Sequence, residues 1–246
     1  MTDVYSPPQS ELMENQPTAN GFGSLQKGID GDFNFVISDI LGEAWELAKG
    51  HRLRLLAAGA IYFVLSLISN AISTAISAAG AGEEINTLFI VIGTVVPLLV
   101  GILTYPLMAG ILLYGITHAA GRPVSFDIFL SCYNRTFTIF GTMLLTVILA
   151  GIGFLLLVIP GIYLNVAYGL AIPLLVEKNL GVWEALEGSR KAITHCWFRY
   201  FGFLMVIGLI VAVSAIPLLI GLFWTMPFAV MAMGVAYREI FGFEGA

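Results

Sequence analysis

Apolar residues run along this chain in three long blocks, roughly Leu55–Thr117, Thr136–Val176 and Phe201–Tyr237, separated by short polar segments. A helix crosses the hydrocarbon of a bilayer in about 20 residues. Each block is much longer than one crossing and so predicts a helical hairpin that traverses the membrane and returns. Three hairpins make six crossings. The runs are continuous and do not alternate at period two, which excludes the strands of an outer-membrane barrel. The expected fold class is all-α: a polytopic helical membrane protein with six transmembrane helices in three repeated hairpins.

The polar segments repeat as well. Each unit opens on an amphipathic stretch, passes a cationic or aromatic junction, then enters its two crossings. In the first unit Phe33, Ile37, Ile40, Leu41, Ala44 and Ala48 recur at helical spacing, and Asp39, Glu43 and Glu46 take the other face. Its junction is His51-Arg52-Leu53-Arg54. The second unit offers Phe126–Tyr133 closing at Asn134-Arg135, and the third Trp183–Ile193 closing at His195 through Arg199. These stretches are too short and too polar to span. They are expected as interfacial amphipathic helices, with Trp45, Trp183 and Trp197 at headgroup depth. Glu83-Glu84, Ile159-Pro160-Gly161 and the region of Pro217 and Gly221 mark the hairpin turns. Each second crossing ends near a glycine, at 121, 181 and 242, suited to a left-handed helix cap. Pro97 and Pro106 are expected to break the long stretch from Leu88 to Thr117.

Composition agrees with the pattern. Apolar residues make up 58% of the chain and charged residues 11%, where a soluble domain has about a quarter charged. All eleven Lys and Arg lie outside the apolar blocks, on segments that fall on one side of the membrane. Cations collect on the cytoplasmic side, so both termini are expected there. The net charge of −5 does not describe an acidic surface, because eight of the sixteen carboxylates precede residue 50. Residues 1–32, rich in Pro, Gln, Asn, Ser and Gly, are expected to be a disordered cytoplasmic tail. Residues 33–246 are expected to form the six-helix transmembrane domain, and no cleavable signal peptide is expected ahead of it. Cys132 and Cys196, just before crossings on the reducing side, are expected as buried free thiols.

Motifs that would specify a chemistry are missing. The crossings hold no Asp, Glu, Lys, Arg or His, which counts against a proton relay or a carboxylate-lined cation channel. Ser69, Ser73 and Ser77 stand four apart, as do Asn70, Thr74 and Ala78, a spacing that lets helices approach closely. The functional alternative is a polar cavity walled by Asn70 and Thr74 with Asn165. His51, His118 and His195 share the cytoplasmic boundary but lack the ligand spacing of a zinc site. Asp30-Gly31-Asp32 imitates a calcium loop, yet Phe35 and Leu41 occupy the places of its glycine and its bidentate Glu. Neither a metal nor a cofactor is expected, and no catalytic residues are assigned. An interfacial enzyme would need His51, His195 and Glu177 to converge. Arg52, Arg54, Arg190, Lys191 and Arg199 are candidate contacts for anionic lipid headgroups, each worth about 1 kcal/mol near a charged surface.

Two stretches carry a resemblance. Glu177 through Arg199, with Glu184-Ala185-Leu186, Ser189 and Trp197-Phe198-Arg199, resembles a signature of bacterial multi-pass membrane proteins. Leu157-Val158-Ile159-Pro160-Gly161-Ile162-Tyr163 resembles their hairpin turn, and Gly42 through Leu47 suits their first amphipathic segment. The chain is similar there to the YciC-type inner-membrane proteins and to the membrane domain of some bacterial glycerophosphodiester phosphodiesterases. The resemblance implies a bacterial plasma (inner) membrane bundle and transfers no catalytic residue. The expected role is a non-enzymatic membrane assembly or partner- and lipid-interacting protein, with lipids and a membrane protein as partners and no nucleic acid. The alternative is a permease or flippase-like carrier of a neutral or amphiphilic solute.

Overall fold

A computed structural model describes residues 22–80, 87–216 and 220–244. Those residues are mostly helical, without a strand among them. In chain order the helices are α1 (Leu25–Asp30), α2 (Ile37–Gly80), α3 (Thr87–Ala119), α4 (Ile128–Ser131), α5 (Thr136–Leu156), α6 (Val158–Ala167), α7 (Ala171–Glu177), α8 (Val182–Ala215) and α9 (Leu222–Phe241). A 3-10 turn, Cys132–Arg135, joins α4 to α5. Five segments are long and apolar enough to cross a membrane: Ile37–Ile76, Val91–Ala119, Ile128–Leu156, Val158–Glu177 and Val182–Ala215. The 20 residues of α9, which carry Arg238 and Glu239 near their end, are not among them.

The amphipathic segments differ from expectation. In the first unit the amphipathic stretch and the crossing are one helix of 44 residues, about 66 Å long. Nothing between Ala48 and Leu55 interrupts its backbone ladder, since that stretch contains no proline and only Gly50. In the third unit the two parts are again continuous, and the junction survives as a kink at Cys196, whose φ of −126° and ψ of 23° are not helical. Only the second unit separates them, through the 3-10 turn at Cys132. Both cysteines are buried free thiols at these junctions.

The segment expected as a tail is described from residue 22 onward. Residues 1–21 lie outside the described residues, but Leu25–Asp30 forms α1 on the rest of the bundle. The Ser24 hydroxyl accepts from the Lys27 N–H at its start, and Gly31 at φ 77° closes its end. Gly28 packs on Phe241, which supplies the apolar contact that composition alone did not reveal. The hairpin turns at Glu83-Glu84 and Pro217 lie outside the described residues. The turn at Pro160 needs only one non-helical residue, Leu157, with φ −163° and ψ 152°.

Burial divides the molecule into a packed base and exposed arms. Along α2 the buried apolar residues are Ile40, Ala44, Ala48, Leu55 and Ala58, whereas Ile61, Phe63, Val64, Leu67 and Ile68 are exposed. Along α3 the order reverses: Val91, Val95, Leu99 and Leu103 are exposed, and Leu107, Ile111, Tyr114 and Ile116 are buried. Helix α8 buries Ala185, Leu186, Ala192, Ile193, Tyr200 and Phe203, and exposes Leu209 and Val213, with Ile216 exposed just past its end. Helix α9 passes from exposed Phe223 and Trp224 to buried Met231, Val235, Tyr237 and Phe241. The base is closed by large rings, among them Phe35, Tyr114, Phe129, Tyr200, Phe203 and Phe241. Phe35 meets Phe203 edge-on at 5.6 Å, and Tyr114 stacks on Phe129 at 4.8 Å.

Helices α3 and α9 touch through backbone. A methyl group on Gly234 would lie 2.5 Å from the Gly115 carbonyl oxygen, and one on Gly115 would lie 2.7 Å from the Val230 oxygen. Such contact needs small residues on both helices. Gly234→Ala is therefore expected to force α3 and α9 apart, at a cost of about 1–3 kcal/mol. Gly208→Ala, where nothing lies within 4 Å, is expected to be neutral. Thermal unfolding of the two variants in detergent checks this; equal midpoints would refute the contact.

Candidate lipid and partner interface

Polar groups gather at two points of the base and around its rim. The first point is Arg238, 4% exposed, near the end of α9. Its Nη1 donates to Glu43 Oε1 on α2 and to the Ala119 carbonyl at the end of α3, both at 2.6 Å. Its Nη2 donates to Glu43 Oε2 at 2.7 Å and to Glu239 Oε1 at 2.6 Å. The Phe22 ring covers the guanidinium at 4.0 Å. The planar fork of arginine allows the bidentate grip on Glu43 together with a third acceptor. Glu43 lies on the polar face that the first amphipathic segment predicts, so that face serves an ion pair as well as solvent.

The second point is Glu177, 2% exposed at the end of α7. Tyr237 donates its hydroxyl to Oε2 at 2.8 Å, and the Glu244 backbone N–H donates to Oε1 at 2.7 Å. Buried Lys178 stands 3.5 Å from Glu177 and 2.8 Å from the Glu244 carboxylate. The last described residues are thereby tied to the second unit.

The break between α6 and α7 is satisfied from a distance. Pro173 has no N–H for the Gly169 carbonyl, and helix geometry fails over residues 168–170. Ser189 of α8 fills the gap: its hydroxyl donates to the Ala167 carbonyl at 2.7 Å and accepts the Leu170 N–H at 3.2 Å. Arg135 does the same past α7, donating to the carbonyls of Leu175 at 2.7 Å and Leu180 at 3.3 Å. Glu184 accepts the Gly181 N–H at 3.0 Å and so caps α8. Gly121 and Gly242 take left-handed φ values of 71° and 65°, but after α7 Asn179 does so, at 55°. Gly181 instead sits extended at the start of α8.

The candidate headgroup contacts lie on two helices, α2 and α8. Arg52 lies over the Trp45 ring at 5.9 Å, and Arg54 donates to the Val124 carbonyl at 3.2 Å, both on α2. On α8, Arg190 is held by Glu187 at 2.7 and 2.8 Å, and Lys191 lies 3.7 Å from the same carboxylate. Arg199 is exposed. Large apolar residues stand exposed beside three junction arginines: Leu53 at 78%, Phe137 at 81% and Phe198 at 84%.

The candidate polar cavity is not assembled. Asn70 is exposed and donates to the Ser66 carbonyl of its own helix at 2.8 Å, Thr74 is exposed on α2, and Asn165 is exposed on α6. Helices α2 and α6 share no packed face. The histidines divide too. His51 Nδ1 lies 2.7 Å from the buried Tyr114 hydroxyl, with its ring 3.9 Å from that of His118, while His195 meets the Ile29 carbonyl at 3.1 Å. Glu177 keeps its own partners, so the three side chains of an interfacial enzyme each belong to a different contact. Among the described residues, no three His, Cys, Asp or Glu converge as a metal-binding group.

Sequence reasoning missed the cleft between α3 and α5, a cavity of about 480 Å³ that includes Gly93, Pro97, Tyr105, Phe140 and Leu144. Pro97 was its only signal. No protein-family model matches the chain, and no curated protein or solved structure matches it significantly.

Removing one partner from a buried ion pair leaves an uncompensated charge. Arg238→Met is expected to cost about 3–5 kcal/mol, and Glu43→Gln less, because the Glu43 side chain is 40% exposed and can rehydrate. Ser189→Ala would orphan two backbone groups and cost about 1–3 kcal/mol. Unfolding in detergent ranks the three; an Arg238→Met protein as stable as the parent would refute the assignment.

Proposed function

We propose that this chain is a six-crossing plasma-membrane protein, with α9 as the sixth crossing, that acts without catalysis by holding lipids and a membrane partner. The observation that carries this is the division between a closed base and exposed apolar arms. A bundle that moves solutes along its axis needs space at its centre, whereas here large rings fill the base. The arms instead offer lateral surfaces and clefts to whatever surrounds them. All eleven Lys and Arg lie outside the apolar blocks, which supports a cytoplasmic base and cytoplasmic termini. The exposed Leu53, Phe137 and Phe198 beside arginines suit the headgroup boundary, where an apolar side chain enters the acyl region and a cation meets phosphate.

The resemblance to YciC-type inner-membrane proteins favours a bacterial plasma membrane. It gains a physical basis in this chain, because the residues that carry it are structural: Glu177 anchors the chain end, Glu184 caps α8, Ser189 closes a helix break and Leu157 forms the hairpin turn. A second reading, a carrier of an amphiphilic solute, draws on the proline-broken α3 and the cleft beside Pro97.

Native mass spectrometry of protein extracted gently from its own membrane tests the proposal. A stoichiometric lipid or a reproducible protein partner is the expected result. A bare monomer that turns over a defined substrate, and loses that turnover on one side-chain truncation, would overturn it. A reporter fused to the C-terminus should be active only in the cytoplasm; activity on the outer side would reverse the topology.

A further inference from the structure

We propose that His51 and His118 form a pH-sensitive clasp between α2 and α3, closed while the pair carries at most one charge and opened when both rings are protonated. The clasp is independent of the lipid and partner role proposed above. Its basis is a contact between two imidazoles from different helices, with centroids 3.9 Å apart and rings tilted by 43°. Each ring is held by a further partner. His51 Nδ1 lies 2.7 Å from the hydroxyl of buried Tyr114, which itself stacks on Phe129 of α4. His118 donates to the Leu47 carbonyl, one turn before His51 on α2. The pair thus joins α2 to α3 within the packed base. Both rings are only half-buried, so water and protons reach them.

The charges around the pair decide what acid does to it. The charged groups that act on His51 are His118 and Arg54, both cations when protonated. Carboxylates of the surrounding elements are engaged elsewhere. Glu43 of α2 and Glu239 of α9 hold Arg238, Glu46 pairs with Lys49, and Asp127 beside α4 takes the Ser125 hydroxyl. Arg52 lies over the Trp45 ring, and Arg122, past the end of α3, is exposed. Two charged rings in contact repel, and Arg54 adds to that repulsion where partial burial limits screening. Opening returns both imidazoles to water, where each titrates near about pH 6.5. The open form therefore binds more protons than the closed form. By linkage, closure is favoured above that range and lost as pH falls through it. A metal ion is the poorer fit: no group of three His, Cys, Asp or Glu converges among the described residues, and Arg54 opposes a cation.

Hydrogen exchange of the full chain in nanodiscs tests the clasp, read by mass spectrometry and corrected for the intrinsic pH dependence of amide exchange. Between about pH 7.5 and about pH 5.5, peptides covering 47–55 and 112–121 are expected to lose protection about tenfold, while those of α6 and α8 change little. His51→Gln and, independently, His118→Gln each leave a single imidazole. Each should abolish the pH-dependent loss while keeping the parent's helix content at neutral pH. His195→Gln should retain the loss, because that ring meets the Ile29 carbonyl instead. Protection that does not change with pH, or that falls equally over all helices, would overturn the proposal. So would a pH response that survives in a folded His51→Gln or His118→Gln protein. The parent's own profile decides the matter where a variant does not fold.

Discussion

The packing of the base depends on a buried guanidinium. Arg238 joins α2, α3 and α9 at one place, because its two terminal nitrogens reach Glu43, Glu239 and the last carbonyl of α3 together. A cation so fully removed from water is tolerable only when its charge and most of its donors are matched. The match fixes the register of the three helices. With that register set, Gly115 and Gly234 fall opposite each other and the backbones of α3 and α9 come into contact. The Phe22 ring over the same guanidinium brings the start of the described chain onto the base.

The remaining units are attached by groups that repair broken helices. Ser189 supplies the donor and acceptor that α6 and α7 lose between them, and Arg135 takes one carbonyl in the last turn of α7 and one past its end. Glu177 then secures the chain end through Tyr237 and the Glu244 N–H. Each repair links segments distant in sequence, so the breaks become points of assembly. The apolar side chains of the arms, among them Phe63, Leu67, Leu99 and Leu209, stand exposed.

Much of the architecture was legible along the chain. Apolar runs too long for one crossing predicted helical hairpins, and the cationic junctions marked where the character of each unit changes. Those junctions persist as a kink at Cys196 and a 3-10 turn at Cys132, since the local sequence there departs from a regular helix. In the first unit the junction left no trace in the backbone, because charged side chains can follow apolar ones on an uninterrupted helix. The alternative polar cavity of Asn70, Thr74 and Asn165 meets a related limit. Residues four apart share a helix face, but spacing does not say which neighbour, if any, that face meets.

By itself the sequence determined that the chain is helical and that several of its helices are long and apolar enough to cross a membrane, because these follow from local backbone chemistry and from the thickness of a bilayer. Only the tertiary structure decided which charges would be buried together, which helix breaks would be healed and by whom, and where a cleft would remain. Arg238 and Arg199 look alike as boundary arginines; one is enclosed by three helices and the other is exposed. The difference arises from contacts between residues as far apart as Glu43 and Arg238, which no local pattern encodes.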